Sequence, residues 1–85
     1  MSLRGFSFPS EFYFLCMLHN IGATSSEKSL TLEEISRWTN FDLEQTKSNL
    51  SKLIEDKYVE MKSINGLEKY SLTVDGIRKV LTMYS

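Results

Sequence analysis

The chain has 85 residues, 41% hydrophobic and 25% charged, with ten basic against eleven acidic side chains and a net charge of −1. That length fits one domain, spanning 1–85, with a modest core that buries roughly 60–65% of the unfolded surface. The charge excludes a global pull toward nucleic acid, and the single cysteine, Cys16, excludes an internal disulfide framework and fits the reducing cytoplasm.

Residues 1–9 carry Phe6 and Phe8 ahead of Pro9 and are expected to be flexible or associated with a dimer surface. Ser10 can cap a first helix whose body is the apolar run to about Ile21, with Asn20 and Gly22 as stop signals. Cys16, between Leu15 and Met17, reads as a core thiol. The apolar run Phe12 to Leu18 is too short to cross a bilayer, which needs ~20 residues, and it lacks the flanks of a signal sequence. No membrane partner is expected. The stretch from Ala23 to Ser29 reads as a polar loop.

Thr31-Leu32-Glu33-Glu34 is a capping box, and Leu32, Ile35 and Trp38 follow at helical spacing as a buried stripe. This second helix stops at Thr39-Asn40, where asparagine accepts the left-handed conformation. Asp42-Leu43-Glu44-Gln45 is a second box in its Asp/Gln form and opens a third helix over about 42–56. Its apolar side is Leu43, Thr46, Leu50, Leu53 and Ile54, which leaves Ser48 on the opposite face beside Glu44, Gln45, Ser51 and Lys52. Tyr58 to Met61 reads as a strand, Asn65-Gly66 as a type I′ turn and Leu67 to Leu72 as the return strand, a hairpin over about 59–72. Thr73 can cap a fourth helix carrying Val74, Ile77, Val80, Leu81 and Tyr84.

Two short helices joined by a tight turn, followed at once by a hairpin, form a winged helix-turn-helix. The fold class is therefore mainly α with a small β-hairpin: a three-helix core, a two-stranded wing and a C-terminal helix. The residues that carry the likeness are LTLEEISRWTNFDLEQTKSNLSKLIEDKYVEM and YSLTVDGIRKVL, with Leu50, Leu53, Tyr58 and Val59 leading into the wing and Leu72-Thr73-Val74-Asp75-Gly76 after it. On these residues the segment from Leu30 to Leu81 resembles the small winged-helix transcription regulators of the MarR-like and PadR-like groups. The resemblance implies sequence-specific binding of double-stranded DNA, the third helix in the major groove and the wing on the backbone.

A helix in the major groove reads base edges with its N-terminal half. The outward positions are Glu44, Gln45 and Ser48, with Asn49 at the margin. Gln45 suits adenine on two atoms, and Glu44 suits the cytosine amine. Lys47 and Lys52 suit phosphates and give the segment from Gln45 to Lys52 a net charge of +2. Lys62 and Lys69 flank the turn of the wing. The residues alone leave open a solvated helix face and an edge hairpin, so a winged helix used only for protein–protein contact is the alternative.

No enzyme is expected. His19 lies inside the apolar first helix, and the sequence has no Cys/His metal spacing, Gly-rich phosphate loop or nucleophile beside a base. No cofactor is implied, and a small-molecule effector is not readable. The first helix is apolar nearly all round, which demands burial on a second side. A homodimer is the simplest source, with Phe12, Phe14 and Leu18 supplying the surplus surface and Leu81 and Tyr84 of the last helix adding to it. The sequence does not decide which of these faces the core and which the partner.

Overall fold

The computed structural model describes residues 10–84. In chain order the elements are α1 (Ser10–Asn20), β1 (Leu30–Thr31), α2 (Leu32–Thr39), α3 (Leu43–Glu55), β2 (Val59–Ile64), β3 (Leu67–Leu72) and α4 (Val74–Met83), with a short 3₁₀ turn at Ser26–Lys28. The chain is a winged helix: four helices and a small antiparallel sheet in the order β1-β3-β2. The expected dimer-associated or flexible role of residues 1–9 lies outside the described residues.

Local chemistry sets most of the boundaries. α1 ends where Gly22 turns to φ +90° and the Ala23 N–H reaches back to the Leu18 carbonyl at 3.0 Å, satisfying a terminal carbonyl. Thr31 caps α2: its hydroxyl accepts from the Glu34 N–H at 3.2 Å, and the Thr31 N–H donates to Glu34 Oε1 at 2.9 Å. Asn40, at φ +66°, closes the helix in the left-handed conformation. Asp42 caps α3 in the same reciprocal way. Across the tight turn between α2 and α3 the Ser36 hydroxyl donates to the Phe41 carbonyl at 2.6 Å. Thr73 caps α4 by accepting from the Gly76 N–H at 3.0 Å, while its own hydroxyl donates to the Lys57 carbonyl at 2.7 Å.

The sheet differs from the expected two-stranded wing. Leu30 and Thr31 pair with Tyr70 and Lys69 on the outer edge of β3, so a third strand joins the polar loop to the hairpin. A two-residue strand carries no alternation, and the capping box that starts at Thr31 masks it. Within the hairpin Asn65 (φ +54°) and Gly66 (φ +80°) make the turn, with Ile64 opposite Leu67 and Lys62 opposite Lys69.

The core consists of Phe14, Leu15, Leu18, Ile35, Leu50, Leu53, Val59, Leu72 and Val80. α1 runs through its middle, packed by α2, α3, α4 and β3. Phe14, Leu15 and Leu18 are thus covered within the chain and do not need a second copy, whereas Phe12, Cys16 and Met17 are half-buried and Tyr13 is exposed. Phe14 and Leu18 are fully buried there, each worth about 1.5–3 kcal/mol. Phe12 is half-buried, edge-on to Tyr58 at 6.3 Å and beneath the Lys79 ammonium at 4.7 Å.

Three other apolar positions depart from expectation. Trp38 is 68% exposed, because the inward positions of α2 are Ile35 and Thr39, and Trp38 lies ~100° round the helix from Thr39. Leu43 and Ile54 are also exposed, the first in the opening turn of α3 and the second one residue beyond buried Leu53. Asn49 occupies the inward position instead, with Thr46, Leu50 and Leu53.

Gly76 has a packing role. A Cβ there would overlap the Tyr58 carbonyl, so only glycine lets α4 sit against the corner between α3 and β2. The Thr73 N–H donates to that same carbonyl at 2.9 Å.

Candidate nucleic-acid interface

α3 presents Glu44, Gln45, Lys47, Ser48 and Lys52 to solvent, all exposed. Its inward stripe is held by the core, and the Thr46 hydroxyl is turned back onto the Asp42 carbonyl at 2.8 Å. Asn49 sits at the margin of the outward set: it is only 8% exposed, yet it lines the same hollow as Glu44, Gln45, Ser48 and Lys52. Glu44, Gln45, Ser48 and Lys52 line one side of a shallow hollow of about 320 Å³, with Ser10 at the start of α1 also bounding it. The side chain of Lys52 makes no hydrogen bond or ion pair among the described residues.

Gln45 is doubly engaged. Its backbone N–H donates to Asp42 Oδ1 at 2.7 Å, and its side-chain Oε1 accepts the Asp42 N–H at 3.3 Å. The expected two-atom contact with adenine and the capping box thus draw on the same side chain.

The hairpin brings Lys62 and Lys69 directly opposite each other, on one face. Lys62 Nζ donates to Ser26 Oγ at 2.7 Å and stands 4.0 Å from Glu60. Lys69 is half-buried, and its charge reaches Glu34. The Glu34 carboxyl is held below its usual range by the Thr31 N–H, then by the Thr31 hydroxyl, Lys69 and Arg37. The turn itself, Ile64 to Leu67, carries no cation.

Between the hairpin and the helices lies a cleft of about 250 Å³, lined by Leu67, Glu68 and Tyr70 on one side and Leu32, Glu33 and Lys47 on the other. Tyr70 was not foreseen. Burial, and then the charges of Glu68 and Glu33, push its phenol upward, so at neutral pH the group keeps its proton and can donate. Only its pairing with Leu30 and Met61, which needs the register, would have marked it.

Of the expected dimer residues, Leu81 and Tyr84 are exposed on α4, at 54% and 61%, near Val74 at 65%. Tyr84 also bonds the Cys16 side chain, whose thiol is pushed up by burial and lowered in part by that bond. Among the described residues, the buried His19 Nδ1 has no hydrogen-bond partner. Among the described residues no three His, Cys, Asp or Glu side chains gather as metal ligands, and no helix is long and apolar enough to cross a membrane.

No protein-family profile matches the chain, and no curated protein matches it. Solved structures do. The DNA-binding TubR fragment of Clostridium botulinum superposes with a TM-score of 0.76 at 22% identity, over 91% of this chain and 96% of that one. A mutant MarR of E. coli complexed with operator DNA superposes at 0.73 and 17% identity, over 95% of this chain and 56% of that one. The S. aureus MepR–DNA complex superposes at 0.73 and 19%, over 96% and 66%. The chain thus has the winged-helix fold of these regulators and spans little more than half of the MarR chain.

Proposed function

We propose that the protein binds double-stranded DNA as a transcription regulator, with α3 in the major groove and the hairpin along the adjacent backbone. The carrying observation is the face of α3: Glu44, Gln45, Ser48 and Lys52 project together from a helix whose other side is locked into the core. A polar helix face beside a hairpin is the arrangement that fits a groove with its flanking phosphates. Two of the similar structures are described as complexes with DNA. Lys47 and Lys52 supply phosphate contacts, and the Tyr70 hydroxyl adds a neutral donor in the cleft.

The regulator acts as a homodimer on this reading, with the exposed side of α4, Val74, Leu81 and Tyr84, as the face between copies. A second copy would place two α3 helices on half-sites about one DNA turn apart. Phe14 and Leu18 take no part, being inside each protomer's core.

Fluorescence anisotropy against a random duplex at two salt concentrations tests the reading. Affinity should fall steeply with salt, because only phosphate neutralisation releases counterions. A salt-insensitive or absent signal favours the protein–protein alternative. That alternative draws on specific observations: Glu33 and Glu68 share the cleft with Lys47, and Lys62 is already bound to Ser26 and near Glu60. Light scattering in the same buffer should give a dimer mass for the parent and a monomer for Leu81→Glu.

A further inference from the structure

The capping box at the start of α3 fixes more than a helix end. The side-chain atom of Gln45 that meets the Asp42 N–H, at 3.3 Å, has to be its oxygen, because that contact accepts a hydrogen. The amide NH₂ is then the end left free among the described residues, on an exposed side chain that lines the hollow of the reading face.

A glutamine reads adenine with both ends at once, its oxygen taking the N6 amine and its nitrogen giving to N7. With Oε1 turned back to its own backbone, Gln45 lacks that pair of contacts. A group that only donates also confronts adenine's N6 amine with another donor. Guanine instead offers two acceptors side by side, N7 and O6.

We propose that Gln45 is a donor-only specificity residue that selects guanine over adenine at the base pair facing the first turn of α3, an inference that rests on the DNA-binding reading above. The two-atom contact with adenine requires the cap bond to break and leaves only a single bond to N7 if the cap holds, whereas two-acceptor contact with guanine keeps the cap. Glu44, exposed one position earlier, works in the same direction, since its carboxylate suits the N4 amine of a cytosine in the same or the neighbouring pair.

The test is selection from a duplex library with a randomised core, carried out with the full chain and with Gln45→Glu. The glutamate keeps an oxygen for the Asp42 N–H, so its thermal midpoint should match the parent's, but it has no amine to donate. One position in the selected site should change from guanine to no guanine preference. On the best duplex, replacing that guanine by adenine should lower parent affinity at least about fivefold. A 7-deazaguanine at the same place should shift affinity in the same direction. The inference is overturned if Gln45→Glu selects the same site, or if the altered position held adenine in the parent's site. In either case salt-dependent binding to random duplex would leave the DNA-binding reading standing. Loss of salt-dependent duplex binding altogether would overturn both.

Discussion

Lys52 on α3 and Lys62 on β2 are both exposed lysines on the candidate interface, yet they are held differently. Lys52 has no partner among the described residues, whereas Lys62 is bonded to Ser26 and lies near Glu60. The same contrast runs through both elements. The outward face of α3 sets Lys52, unpartnered among the described residues, beside Ser48, Gln45 and Glu44. The hairpin places its two lysines opposite each other, surrounds them with Glu34 and Glu60, and ends in an uncharged turn. A cation that must leave a carboxylate to reach a phosphate gains less than one that starts in water. The helix should therefore supply most of the electrostatic attraction, and the hairpin should act chiefly as a wall of the cleft.

The largest break in this comparison comes from Gly76→Ala. The added methyl overlaps the Tyr58 backbone, so α4 must move off the corner that joins α3 to β2. Overpacking of this kind costs about 1–3 kcal/mol and occasionally more, and the thermal midpoint should fall by roughly 4–24 °C in a domain of this size. Helix and hairpin should lose DNA binding together, because the change acts on the corner between them. Calorimetry and anisotropy on the same sample check this.

Next in size are the lysines. Lys52→Ala should flatten the slope of log affinity against log salt by about 0.9, the share of one phosphate. Lys62→Gln should change the slope by less than half of that, because the residue is already partnered. Equal slopes for the two variants would erase the contrast between helix and hairpin.

The smallest effect concerns acid. Glu34 has its carboxyl pKa lowered, so it contributes stability that is present above its ordinary value of 4.5 and is lost as pH falls through the lower folded value. Glu34→Gln should be slightly less stable than the parent near pH 7, with the gap closing below about pH 4.5. A pH series of denaturant midpoints measures it. A constant gap would mean that the bond to the Thr31 N–H does not depend on charge.

The parts of this molecule that were legible in its sequence are those decided within a few residues. Both capping boxes, the Asn40 stop, the Asn65-Gly66 turn and the Thr73 cap rest on contacts three or four positions apart. What escaped needed distant partners. The two residues of β1 become a strand only because β3 passes beside them. Lys62 looked free because Ser26 lies 36 residues away in sequence. Nothing local in α1 reveals that four other elements pack against it and bury Phe14, Leu15 and Leu18. Gln45 is a different case: the sequence supported both a cap and a base contact, and only geometry shows that the same oxygen serves in each.

The central position of α1 also governs how the molecule is made. This helix leaves the ribosome before every element that covers it, and Val80, in the same core, lies near the far end of the chain. Its burial has to await pairings of high sequence separation, which slows folding relative to a bundle of local contacts. Until α4 arrives, Phe14, Leu15 and Leu18 lack part of their cover, an invitation to aggregation rather than a partial native state. A nascent chain of this protein therefore has no stable half-way house, and any stop codon ahead of α4 should yield insoluble material instead of a smaller folded domain.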